Sequence, residues 1–316
     1  MTRYAFTFPG QGSQAAGMGK DLAAAYHEAR AVFQEVDEAL GQRLSATMFE
    51  GPDDVLRLTE NAQPALMAVS LAIVRVLEAK GVRLADHAAF VAGHSLGEYS
   101  ALAAAGTFSI ADTARLLKTR GLAMQKAVPV GHGAMAALLG LDMATTHEIA
   151  AEAAQGEVCD VANDNAPGQV VVSGTVAAVE RAIELAKARG AKRALLLPVS
   201  APFHCSLMQP AADAMAQALA EVDMQAPVVP LVANVLATPL TDPVEIRQRL
   251  VEQVTGVVRW TESVTWLTGP GGVTNLAELG TGKVLTGLAK RINAEAVATA
   301  VTTPADIDAF AAQLLA

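Results

Sequence analysis

At 316 residues, with 52% hydrophobic and 17% charged positions, the chain can bury a substantial core and falls outside the disordered class. A formal charge of −9 with no basic run argues against a nucleic-acid binder, and two cysteines argue against a disulfide framework and for a reducing cytoplasm. Aromatics at 4% leave the core to Ala, Val and Leu in many helices, and neither a signal-peptide apolar core nor an apolar run of membrane-spanning length stands out.

Tyr4 to Phe8 alternates and is aromatic-rich, which predicts a first strand running into the turn Pro9-Gly10-Gln11-Gly12-Ser13-Gln14. Gly10 to Ala15 also fits the dinucleotide fingerprint G-x-G-x-x-A. That fold wants an acidic residue ending a second strand about twenty residues on. Here Glu28 to Leu40 reads as continuous helix, so the nucleotide reading is set aside. Asp21 to Leu40 and Pro64 to Ala79 both carry helical apolar stripes and predict core-facing helices.

Ala88-Ala89-Phe90-Val91 suits a buried strand, and Leu96 to Ala105 has the composition of a helix. Between them stands Gly93-His94-Ser95-Leu96-Gly97, a match to the G-x-S-x-G nucleophile elbow. Such a pattern occurs by chance in many chains, but its strand-then-helix context favours an exposed, reactive Ser95. The helix N-terminus beyond it offers free N–H groups to a developing oxyanion. Ser109-Ile110-Ala111-Asp112 resembles a capping box and predicts a helix through Arg120 and Met124, stopping before Pro129.

From Gly133 to Val199 the elements shorten into a βαββαβ order, the ferredoxin-like unit. Strands are expected at 134–139, 158–162, 169–173 and 194–198, helices at 143–154 and 176–188, and a turn at Asn163 to Gly168 between the middle strands. Beyond it, strands are expected at 228–235 and 273–279 and helices at 244–254, 283–293 and 305–316. Gly280-Thr281-Gly282-Lys283 invites a phosphate-loop reading, which Ala277 and Val284 defeat by standing where that motif needs Gly and Ser or Thr.

Ser95 needs a base, and His27, His87, His94, His132, His147 and His204 are the candidates. His27, His87 and His147 lie where solvated structural roles are the norm. His94 precedes the nucleophile and is expected to point away from it, as a supporting residue. His204 follows Pro202 at a subdomain boundary, where an interlobe cleft can hold a side chain.

Taken together, the Gly10-Gln11-Gly12-Ser13-Gln14 opening, the Gly93 to Glu98 elbow, Arg120, the Pro202-Phe203-His204 block and Gln253 resemble the malonyl-CoA:acyl carrier protein transacylases of the fatty-acid-synthesis type, over essentially the whole chain. The resemblance implies an α/β fold: an α/β-hydrolase-like core formed by residues 1–130 and 200–316, with an inserted ferredoxin-like subdomain at 131–199.

It further implies that Ser95 is the nucleophile and His204 its base, in a dyad whose histidine is oriented by a backbone carbonyl near Gln253. Backbone N–H groups of Gln11 and Leu96 would form the oxyanion hole, with His94 and Asn165 in support. Arg120 would hold the malonyl carboxylate, since a guanidinium presents a planar donor fork; without the motif, a helix arginine paired or snorkelling to water is the plainer reading. Phe203 would size the pocket for malonyl.

The implied reaction carries malonyl from coenzyme A to the phosphopantetheine thiol of an acyl carrier protein by a ping-pong route. No metal or redox cofactor is expected, coenzyme A entering as the thioester substrate, and the protein is expected to be a cytoplasmic monomer without nucleic-acid or membrane partners. Docking an acidic carrier would need a local basic surface, for which Lys187, Arg189, Lys192, Arg193, Lys283, Lys290 and Arg291 are candidates. The competing readings are a serine esterase or thioesterase, a silent scaffold, and a malonyl transferase subunit of a polyketide or malonate-decarboxylase system.

Overall fold

The computed structural model describes residues 3–316. Its strands are, in chain order, β1 (Tyr4–Phe8), β2 (Ala88–Gly93), β3 (Gly133–Leu139), β4 (Cys159–Ala166), β5 (Gln169–Thr175), β6 (Arg193–Leu196), β7 (Leu231–Val232), β8 (Pro239–Leu240), β9 (Val258–Arg259), β10 (Asn275–Leu279) and β11 (Val297–Val301). They form two sheets in a mixed α/β chain. The first has the order β11-β10-β1-β2-β7-β8, parallel throughout except for β8. β1 is buried at every position, as a central strand covered by helices on both faces must be.

The second sheet has the order β6-β3-β5-β4-β9. Its first four strands are antiparallel and come from one stretch of chain, while β9 is contributed from far downstream and runs parallel to β4, pairing Asn163 with Val258 and Asp164 with Arg259. The helices Met143–Ala154 and Val176–Ala188 pack on this sheet around a separate apolar cluster that includes Ile149, Val172 and Val179.

Several elements depart from the sequence expectation. The stretch 21–40 is two helices, Lys20–Ala25 and His27–Leu40, because Tyr26 is extended and its hydroxyl donates to Pro304 O at 3.1 Å, a tertiary contact with no local signal. The helix expected from Pro64 starts at Thr59 and runs to Ala79, with Pro64 inside it. That helix is long and apolar enough to cross a membrane by length and composition, contrary to the sequence reading, and its most apolar window is 83% buried within the fold.

The expected strand at 228–235 shrinks to β7, since Pro230 has no N–H for a ladder and Val228 is exposed. Asn163, Asp164 and Asn165 belong to β4 and not to a turn; register shifts between Val161 and Asn163 and between Asp164 and Ala166 mark bulges, and the turn is Pro167-Gly168 alone. The helices Leu44–Glu50, Asp53–Arg57 and Trp260–Thr268 and the strand β11 had no counterpart in the sequence reading.

Ser109 caps the helix Ile110–Ala127 by accepting from Asp112 N at 3.0 Å. Gly121 lets that helix touch the start of Thr59–Ala79 backbone to backbone, where a Cβ would lie 2.5 Å from Glu60 Cα. This close approach brings Gln63 to Arg120.

Candidate active site

Ser95 sits at a sharp turn between β2 and the helix Gly97–Ala104, with a φ of 53° in the left-handed region. The turn exists because its flanking glycines lack side chains: a Cβ on Gly93 would lie 1.9 Å from Gly97 O, and one on Gly97 2.2 Å from Phe8 O. Asn234, just beyond β7, pins the turn. Ser95 N donates to Asn234 Oδ1 at 2.8 Å, and Asn234 Nδ2 donates to Gly93 O at 2.6 Å.

His204 lies between β6 and a short 3₁₀ turn at Ser206–Met208, also with a left-handed φ, of 57°. Its Nε2 is 2.7 Å from Ser95 Oγ and its Nδ1 is 2.8 Å from the backbone carbonyl of Gln253. A carbonyl can only accept, so Nδ1 carries the proton and Nε2 accepts the one on Ser95. The orienting oxygen belongs to the last residue of the helix Pro243–Gln253, where carbonyls have no partner within the helix. Burial, followed by the nearby Arg120 charge, holds the His204 pKa down at about 3, which keeps the ring neutral.

Arg120 is 1% exposed. Its Nη1 donates to Gln63 Oε1 at 2.8 Å, and its Nη2 donates to Gln253 Oε1 at 2.6 Å and to Ser95 Oγ at 3.2 Å. The guanidinium also lies 5.7 Å from the centre of the Tyr99 ring. All the hydrogen-bond acceptors are neutral, and Nε has none. A buried cation thus meets the serine oxygen with no carboxylate among its hydrogen-bond partners.

Glu98 lies behind these groups and is also 1% exposed. Its Oε1 accepts from Asn234 N at 2.8 Å and its Oε2 from Gln253 Nε2 at 2.5 Å. Burial outweighs these bonds and the Arg120 charge, and raises its pKa to about 7. His94 Nε2 is 2.8 Å from Asn165 Oδ1, and its ring lies 5.6 Å from that of Trp260. Burial lowers the His94 pKa.

A cavity of about 310 Å³ joins the two sheets at this point. Gln11, Leu96, Arg120, Phe203, Asn165 and His94 line it together with Ser95 and His204, while Gln253 stands behind its wall. Neither Gln11 N nor Leu96 N finds an acceptor among the described residues, so both remain available to a ligand oxygen. His27, His132 and His147 are exposed and stand outside the cavity, as does half-buried His87.

Sequence reasoning missed Gln63, Asn234 and the part played by Glu98. Asn234 alone had a usable signal, since it ends a strand of the parallel sheet, where such folds place their ligands. Of the basic candidates, Lys187 pairs with Glu184, Arg189 with Glu148 and Glu152, and Arg291 bonds to Gln169. Lys192, Arg193, Lys283 and Lys290 are exposed and make no ion pair among the described residues.

Residues 5–277 match the acyl transferase domain family. The malonyl CoA-acyl carrier protein transacylase of Salmonella typhimurium is 48% identical over 99% of this chain and all of its own length. Among solved structures, an acyl-carrier-protein-S-malonyltransferase from Bartonella henselae superimposes with a TM-score of 0.97 at 57% identity over the full length of both. A malonyl-transacylase solved in complex with a type II PKS acyl-carrier protein gives 0.95 at 44% identity, over 99% of this chain and all of that one. The chain belongs to the acyl transferase family, among the malonyl CoA-acyl carrier protein transacylases.

Proposed function

We propose that this enzyme transfers malonyl from malonyl-CoA to the phosphopantetheine thiol of acyl carrier protein through a malonyl ester on Ser95. The observation that carries this reading is Arg120, a buried guanidinium bonded to Ser95 Oγ and to neutral amides only. A simple esterase has no use for a cation there, whereas a malonyl thioester brings its own carboxylate.

In the first half-reaction Ser95 Oγ attacks the thioester carbon as its proton passes to His204 Nε2. The Gln11 and Leu96 N–H groups meet the oxyanion. Collapse breaks the C–S bond, and the departing sulfur of coenzyme A takes the proton from His204. In the second half the carrier thiol gives its proton to His204 and attacks the ester carbonyl; collapse breaks the C–O bond, and Ser95 Oγ leaves with the proton from His204. The Gln253 carbonyl keeps Nδ1 protonated throughout.

The same reading includes an α/β-hydrolase-like core at 1–130 and 200–316 and a ferredoxin-like subdomain at 131–199; the β6-β3-β5-β4 order within the second sheet supports it. His94 and Asn165 tie the elbow to that sheet, and Phe203 bounds the acyl end. The protein works as a cytoplasmic monomer with no metal or redox cofactor and no nucleic-acid or membrane partner, a proposal supported by its net acidity and the burial of Thr59–Ala79. The unpaired cations Lys192, Arg193, Lys283 and Lys290 are the proposed contacts for an acidic carrier.

The test mixes the protein with malonyl-CoA and holo carrier protein. A malonyl adduct mapped to Ser95 and rapid formation of malonyl-carrier support transfer. Free malonate as the main product overturns it in favour of hydrolysis.

A further inference from the structure

We propose that Glu98 is a positioning residue for malonyl recognition: its carboxylate fixes the amide of Gln253 so that the amide oxygen, and not its NH₂, meets Arg120. This rests on the malonyl-transfer reading. Glu98 does not line the cavity, so it acts through Gln253.

The geometry that carries the inference is a chain of donors and acceptors with one consistent direction. Gln253 Nε2 donates to Glu98 Oε2 at 2.5 Å and to Ser95 O at 2.8 Å, which leaves Oε1 to accept from Arg120 Nη2 at 2.6 Å. An ionised carboxylate can only accept, so it holds the NH₂ on its own side. The other oxygen of Glu98 accepts from Asn234 N, which presents a fixed donor.

Replacing Glu98 by Gln leaves one acceptor and one NH₂ to serve two fixed demands. With its oxygen on Asn234 N, the new NH₂ faces Gln253 Nε2, donor against donor. The amide of Gln253 is then held in its orientation by Ser95 O alone, and in the fraction that turns over it presents its own NH₂ to Arg120, which loses an acceptor and swings from the pose that receives a carboxylate. His204 keeps its orientation, because it bonds to the Gln253 main chain.

Protonation of Glu98 adds an O–H donor and weakens the acceptor facing Gln253 Nε2, so it loosens the same hold in the unmodified enzyme. The charged group acting on Glu98 is Arg120. Tyr99 and His204 stay neutral across the relevant range, and Gln253 and Asn234 do not titrate.

Three measurements test this: the malonyl-CoA KM and kcat, the rate at which a fluorophosphonate labels Ser95, and acetyl-CoA as a substrate lacking the carboxylate. For Glu98→Gln, malonyl transfer falls about tenfold further than labelling does, through KM more than kcat. In a Gln253→Met background, adding Glu98→Gln costs no further malonyl transfer, because the relay is already absent.

In the unmodified enzyme, the malonyl-CoA KM rises relative to that for acetyl-CoA as pH falls from roughly 8 to 6, since the carboxylate orients the amide only when ionised. This arm stands even if a variant fails to fold. Equal losses in malonyl transfer and labelling, an undiminished effect in the Gln253→Met background, or parallel KM profiles for the two thioesters overturn the inference. No malonyl transfer by the unmodified protein overturns the malonyl reading and this inference with it.

Discussion

Arg120 Nη2 lies 3.2 Å from Ser95 Oγ, so the group proposed to hold the substrate carboxylate and the group proposed to attack its carbonyl are bonded to each other. A malonyl chain spans the same two atoms with its two ends. Arg120→Ala is therefore expected to lower kcat/KM for malonyl-CoA by about 100-fold, the loss of about 3 kcal/mol typical of a truncated buried charge pair. Acetyl-CoA, with no carboxylate to lose, falls much less. Parallel kinetics with the two thioesters check this, and equal losses would remove Arg120 from substrate recognition.

His204 can serve as the proposed base only when neutral. Its pKa is held near 3, below the ordinary histidine range, so the neutral ring is present at every higher pH and is lost only on strong acidification. Labelling of Ser95 by a fluorophosphonate is expected to run at a steady rate from roughly pH 5 to pH 8. A rate that halves near the ordinary imidazole pKa would show His204 to be more solvated than its burial implies.

Gly93→Ala places a methyl group within bonding distance of the Gly97 carbonyl, and no rotamer relieves a Cβ clash. The expected cost is about 3 kcal/mol or more, because β2 and the helix after Ser95 must part. Thermal unfolding followed by circular dichroism reads it as a clear fall in Tm, accompanied by loss of Ser95 labelling. An unchanged Tm would mean that the elbow is looser than described.

Cys159 and Cys205 are both buried, and burial pushes each thiol up to about 11. Neither lines the cavity at Ser95. Thiol reagents are expected to find no reactive cysteine in the folded protein and two after denaturation, without effect on Ser95 labelling in the native state. Rapid modification of the native protein would place one of them in a more open setting.

What was legible in the sequence divides along the range of the interactions. Ser95, with its flanking glycines, was readable because the elbow is a local device whose parts are adjacent in the chain. Strands such as β1 and helices with a capping signal, such as the one carrying Arg120, were readable for the same reason. Tyr26 breaks a helix through a contact with Pro304, and β9 completes a sheet whose other strands end at Leu196. Nothing near those residues announces either event. Asn165 looked like part of a turn because Asn, Asp and Pro favour turns, yet bulges let β4 carry it along the cavity. Gln63 was invisible as a site residue, since a mid-helix amide acquires a role only through what the fold sets opposite it.

Ser95 and His204 both occupy the left-handed backbone region. A β-branched side chain is a true outlier there, since its second substituent on Cβ crowds the carbonyl that follows. Threonine carries the same hydroxyl and would differ by a single methyl, but the handedness of the main chain excludes it before the pocket can. At the proposed nucleophile position backbone chirality thus favours serine over threonine, upstream of any question of reactivity or substrate size.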